Sequence, residues 1–180
     1  MTCMRVIGLD LGRLMGFAAG VPGEVPESCT VELSKPGIGR VVQSSNLLAF
    51  MGKTLRETKP DLVVKEAPFR LAAFKDHGVG EDVVRSAYSL HGIVEAICHR
   101  HGIPCEDVAV ATYTKHFTGT SKHGGRAKRK AAIIARCAQL RYVPPHCKDD
   151  NRCDALAVWD WASATLAKKP GAFALFGEAA

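Results

Sequence analysis

Two short apolar runs, Met4 to Asp10 (MRVIGLD) and Asp61 to Glu66 (DLVVKE), constrain this chain more than any other feature. Each is strand-length, and each closes on a carboxylate. An acid at the end of an apolar run must be solvated, paired or bound to a cation, because burying it alone costs several kcal/mol.

The elements between and after these runs set the fold class. Leu14 to Gly20 (LMGFAAG) follows a glycine-containing turn and predicts a hairpin with the first run. Cys29 to Leu33 (CTVEL) alternates β-branched and polar residues and adds a third strand beyond the Pro22, Gly23 and Pro26 loop. From Gly39 to Thr58, Val42, Leu47, Leu48, Met51 and Leu55 recur at helical spacing, and Pro60 closes the stretch. Pro68 to Gly80 has no clean period and is expected to be a mobile loop. Glu81 to Arg100 predicts a long helix ended by Gly102 and Pro104, with Asp107 to Thr112 (DVAVAT) as a fifth strand. Helices are expected over Ala131 to Leu140 and Asp154 to Leu166, separated by Val143, Pro144 and Pro145. The order βββαβαβαα implies an α/β protein: a five-stranded mixed sheet, three strands antiparallel and then two parallel, with helices on its faces.

Composition narrows the class further. A chain of 180 residues with 47% hydrophobic residues and a mean hydropathy near zero suits one globular domain, here 1–167, followed by a loosely held tail at 168–180. No run approaches the roughly 20 apolar residues needed to cross a bilayer. The start, MTCMRVIGLDLGR, runs straight into a strand pattern, so a cytoplasmic location is expected. Seven cysteines, an odd number among apolar neighbours, fit reduced thiols. A zinc site at His146, Cys147 and Cys153 lacks a CxxC pair and a second ligand pair.

The formal charge of +6 is concentrated. Lys115 to Arg129 (KHFTGTSKHGGRAKR) holds Lys115, Lys122, Arg126, Lys128 and Arg129, with Lys130 next, and no acid. Such a run is either a solvated loop before a helix or a contact for a polyanion; its glycines, His116 and His123 favour the contact.

Asp10, Glu66 and Asp154 are the acids that backbone geometry can bring together. If the first and fourth strands are adjacent and parallel, Asp10 and Glu66 share a sheet edge across one strand spacing of roughly 4.8 Å. A helix starting by Asp150 would put Asp150, Asn151 and Asp154 on one face. Clustered carboxylates repel unless a hard cation neutralises them, and oxygen-only ligands suit Mg²⁺ or Mn²⁺. Two such ions roughly 3.5–4 Å apart can activate water and stabilise a leaving oxygen in phosphodiester cleavage.

From Arg5 to about Leu166 the residues resemble the RuvC-type Holliday junction resolvases of the RNase H-like superfamily, including those of phages and prophages. The resemblance rests on the order and spacing of VIGLDLG with Asp10, VVKEAPF with Glu66, SAYSLHGIVEAICHRHGIP with the following DVAV, Lys115 before a Gly- and Lys-rich segment, and NRCDALAVWDW with Asp154. It implies an RNase H-like fold and a Mg²⁺-dependent endonuclease for four-way junctions and related branched DNA, with Mn²⁺ able to substitute, acting as a homodimer. Asp10, Glu66 and Asp154 would be its catalytic metal ligands, Lys115 and Lys128 would contact the scissile backbone, and Phe69 would stack on bases at the junction centre. The family commonly carries an Asp where this chain has Asn151, leaving Asp150 and Asn151 as alternative fourth ligands. The helix bearing Tyr88, Leu90, Val94 and Ile97 offers an apolar face for a dimer or for the core. The same acids would serve a less selective flap or fork nuclease, and Asn151 leaves room for a DNA-binding protein without chemistry. GLDLG with Gly16 also resembles an actin-like phosphate loop, but no second such loop follows.

Overall fold

The computed structural model describes residues 4–68 and 80–166. Phe69, nearly all of the expected 68–80 loop and the 168–180 tail lie outside the described residues. Five strands, β1 (Val6–Asp10), β2 (Leu14–Gly20), β3 (Glu27–Glu32), β4 (Leu62–Glu66) and β5 (Cys105–Val108), form one sheet in the order β3-β2-β1-β4-β5. β1 to β3 pair antiparallel, whereas β1–β4 and β4–β5 are parallel, as the element order implied. Among the described residues five helices accompany them: α1 (Arg40–Thr58), α2 (Glu81–Arg100), α3 (Val110–Thr118), α4 (Arg126–Gln139) and α5 (Asp150–Thr165).

Alternation along the strands sorts the core into two layers. Ile7, Leu9 and Val63 face α1 and α2, where Leu47, Met51 and Leu55 recur every fourth residue beside Leu90, Val94 and Ile97. Val6, Leu62 and Val64 face the other way, against α3, α4 and α5. The central helix α5 is buried nearly all round from Cys153 to Trp159, which explains its continuous rather than striped apolar sequence. Trp159 anchors it by donating Nε1–H to the Val6 carbonyl at 3.1 Å.

Two expectations need correction. β5 ends at Val108, and Val110–Thr118 is helical although rich in β-branched residues. Tyr113 and Phe117, four residues apart, bury against the α5 layer and override local strand preference. α4 begins at Arg126 rather than Ala131, because Gly124 and Gly125 at φ 68° and 123° make the turn that launches it. Of the two roles open to the α2 face, Leu90, Val94 and Ile97 take the core one, while Tyr88 stays partly exposed.

Candidate active site

Parity and register deliver the first two acids. Asp10 shares the α5-facing set with Val6 and Gly8, and Glu66 shares it with Leu62 and Val64. Leu9 pairs with Lys65 in the parallel β1–β4 register, so the next step along sets Asp10 beside Glu66. Lys65, one residue earlier, points to the opposite face, where its ammonium reaches Asp107 and, at 2.9 Å, Glu95.

Asp154 comes from the first turns of α5, and two glycines set how closely that helix approaches. A Cβ on Gly8 would fall 2.7 Å from the Ala155 carbonyl oxygen, and one on Gly16 would overlap the Asn151 carbonyl. β3 fixes the helix start. Asp149 caps α5 by accepting the Arg152 N–H at 3.0 Å and the Thr30 hydroxyl at 2.6 Å, and Arg152 Nε donates to Ser28 at 2.8 Å.

Asp10, Glu66, Asn151 and Asp154 line a cleft of about 560 Å³. Lys122, Gly124, Gly125, Arg126, Arg129 and Lys130 line the same cleft from the basic segment. α4 has no capping side chain and no acid in its first turn, so its N-terminal N–H groups and their positive dipole end add to that basic wall. Lys128 lies over Gly124 outside the cleft lining, and Lys115 borders a neighbouring groove with Thr112, His116 and Ser121.

The acids feel one another. Burial pushes the Asp10 carboxyl well above its usual range, and the charges of Glu66 and Asp154 push it further, against the opposing pull of Lys130. Burial raises Asp154 to about 6; Lys130 opposes the rise and Glu66 adds to it. For Asp150 burial also works upward, but its hydrogen bond and charge interaction with Lys130 win and hold it low.

Two residues of this site were not among the sequence-derived candidates. Tyr113, fully buried on α3, donates its hydroxyl to Glu66 Oε2 at 2.6 Å. Lys130 Nζ bridges Asp150 Oδ2 and, at 3.6 Å, Asp154 Oδ2. Its signal was the spacing Arg126, Arg129, Lys130, one helical face once the helix starts at Arg126.

Among the described residues no group of three or more His, Cys, Asp or Glu side chains is placed, as the side chains stand, to hold a metal ion. The donor set nonetheless fits a hard cation. Asp154 is 3% exposed, and its Oδ1 is buried without a hydrogen-bond partner. A buried carboxylate oxygen in that state lacks the positive partner that its desolvation calls for.

No family model and no curated protein matches the chain. Solved structures do. RuvC of Thermus thermophilus, solved in complex with a Holliday junction substrate, superposes with a TM-score of 0.67 at 16% identity, over 89% of this chain and 93% of that one. A second Thermus thermophilus RuvC structure gives 0.66 at 15% identity, with the same coverage. The yeast mitochondrial Holliday junction resolvase Ydc2 gives 0.58 at 11% identity, over 90% of this chain and 80% of that one. The chain therefore has the RuvC-type RNase H-like fold.

Proposed function

We propose that the protein is a divalent-metal-dependent endonuclease that cleaves four-way and related branched DNA. The observation carrying this reading is the cleft itself, lined both by acids from two parallel strands and a buried helix and by an uncapped, basic helix start. A phosphodiester needs both: cationic groups to hold its non-bridging oxygens, and oxygen donors for a hard cation at the reacting phosphorus. The fold shared with a RuvC solved on a Holliday junction substrate supports branched DNA as the ligand.

Asp10, Glu66 and Asp154 would hold Mg²⁺, or Mn²⁺ in its place, which when bound supplies an activated water and neutralises charge at the leaving oxygen. Tyr113 orients Glu66 by donating its hydroxyl to Oε2. Asn151 lines the cleft while Lys130 engages the Asp150 carboxylate, which favours Asn151 as the fourth oxygen donor. Lys122, Arg126 and Arg129, with the first N–H groups of α4, bind and orient the DNA backbone. Lys115 and Lys128, outside that lining, would contact flanking phosphates, and Phe69 would stack on an unpaired base. Two strands of a symmetric junction require two active sites, so the working unit is a homodimer.

The test compares wild type with Asp10→Asn on a synthetic four-way junction with Mg²⁺. Cutting by wild type, with binding but no cutting by the variant, is expected. Binding without cutting by both proteins would leave a non-catalytic junction binder, and cutting of flaps and forks at equal rate would remove junction selectivity.

A further inference from the structure

Lys130 sits where an acid cluster of this kind would take a cation. Its ammonium spans Asp150 and Asp154, and its side chain is 15% exposed, held between α4 and α5. The two oxygens of Asp154 therefore differ: Oδ2 faces Lys130, whereas Oδ1 is buried and unpartnered. One positive charge is already built into the Asp150 side of the cluster, and one oxygen still lacks a partner.

We propose that Lys130 acts as a resident counter-cation, so that the DNA-free protein binds one divalent ion, at Asp154 Oδ1 with Asp10 and Glu66, and none on the Asp150 side. The inference rests on the proposed metal-dependent reading of the cleft. A second divalent ion between Asp150 and Asp154 would lie within a few ångströms of a fixed ammonium and would share its oxygens, and Coulomb repulsion at that separation is large in a half-buried site. Two divalent ions plus Lys130 and Arg129, whose charge also reaches Asp154, would bring six positive charges to the four carboxylates Asp10, Glu66, Asp150 and Asp154. One ion with Lys130 and Arg129 balances the four carboxylates, so a further cation is attracted only together with the negative charge of an incoming phosphate. Lys130 is thus a positioning residue: it holds Asp150 and one oxygen of Asp154 and sets how many ions the site accepts.

The experiment is Mn²⁺ titration of the full chain without DNA, counting bound ions by the loss of the free Mn²⁺ electron paramagnetic resonance signal. Wild type should bind one ion per chain. Lys130→Met, which keeps the bulk and removes the charge, should bind two, with the first held at least about tenfold more tightly. Lys130→Gln, with melting curves for all variants, provides a second neutral replacement. Two ions in wild type, or one ion in folded Lys130→Met and Lys130→Gln, would overturn the inference. Asp154→Asn separates the two layers: unchanged Mn²⁺ binding in this variant would overturn the metal reading of the cleft together with the role of Lys130. Loss of binding there, alongside a count unmoved by Lys130, would overturn the role of Lys130 alone.

Discussion

Asp10 and Gly16 are partners across the antiparallel β1–β2 pair, and the missing side chain at Gly16 is what lets the start of α5 come down beside the acid. A methyl group there would overlap the Asn151 carbonyl and meet Ala155 Cβ at 3.0 Å. The clash is with backbone near a capped helix start, so it has little freedom to yield.

Gly16→Ala should therefore cost about 1–3 kcal/mol of stability and weaken Mn²⁺ binding by lifting Asn151 and Asp154 off the sheet. Gly12→Ala is the matched comparison, since its Cβ would meet the Leu14 carbonyl oxygen at an ordinary 3.5 Å. Thermal melts and Mn²⁺ titration of both variants check this, and equal effects at the two positions would contradict it.

Tyr113→Phe removes the donor to Glu66 Oε2 while keeping the buried ring. Stability should fall by about 1 kcal/mol. Cleavage should slow more than junction affinity falls, because the hydroxyl orients an acid and does not touch DNA. Single-turnover rates and binding curves on the same junction separate the two; a parallel fall in affinity and rate would contradict a positioning role.

The strands and the helix carrying the acids were readable from sequence because their apolar runs differ clearly in length, although the helix starts four residues before the expected Asp154. VIGLD and LVVKE end on acids of one parity, and Asp150 to Thr165 has helix-forming alanines over a long stretch. What escaped was set by tertiary packing. Val110–Thr118 carries the β-branched Val110, Thr112 and Thr114, and only packing of Tyr113 and Phe117 on α5 makes it a helix. Lys130 looked like the tail of a basic run because its partners, Asp150 and Asp154, lie 20 and 24 residues away. The chemistry of the basic segment was legible, but its placement depended on a helix start fixed by two glycines in uncommon conformations.

On the opposite face of the sheet, His91 is buried with Nδ1 unpartnered, near Lys65, Asp107 and Glu95. Burial lowers it from 6.5 to about 4, the Lys65 charge adds to the fall, and Asp107 and Glu95 oppose it. Between those values the unfolded chain takes up a proton that the folded chain refuses, so stability drops as pH falls through the window, by about 3 kcal/mol at most. In His91→Leu the drop between pH 7 and pH 4.5 should be correspondingly smaller. Urea melts at both pH values read the difference; identical slopes would contradict the buried neutral state.

Replacing Lys122, Arg126 and Arg129 together by Ala should weaken junction binding and flatten its dependence on salt, by roughly 0.9 in log–log slope for each duplex phosphate left unneutralised. Melting temperature should change little, because Lys122 and Arg126 are exposed and Arg129 is only partly buried. Binding isotherms across a salt series decide it, and an unchanged slope would make the segment an ordinary surface turn.

The most direct measurement is a crystal structure of the full chain grown with Mn²⁺, with diffraction recorded at the manganese absorption edge. The account predicts an anomalous peak in the cleft, bonded to Asp154 Oδ1 and to carboxylate oxygens of Asp10 and Glu66. Manganese found only elsewhere on the surface, with Asp154 Oδ1 still lacking a cation, would contradict it.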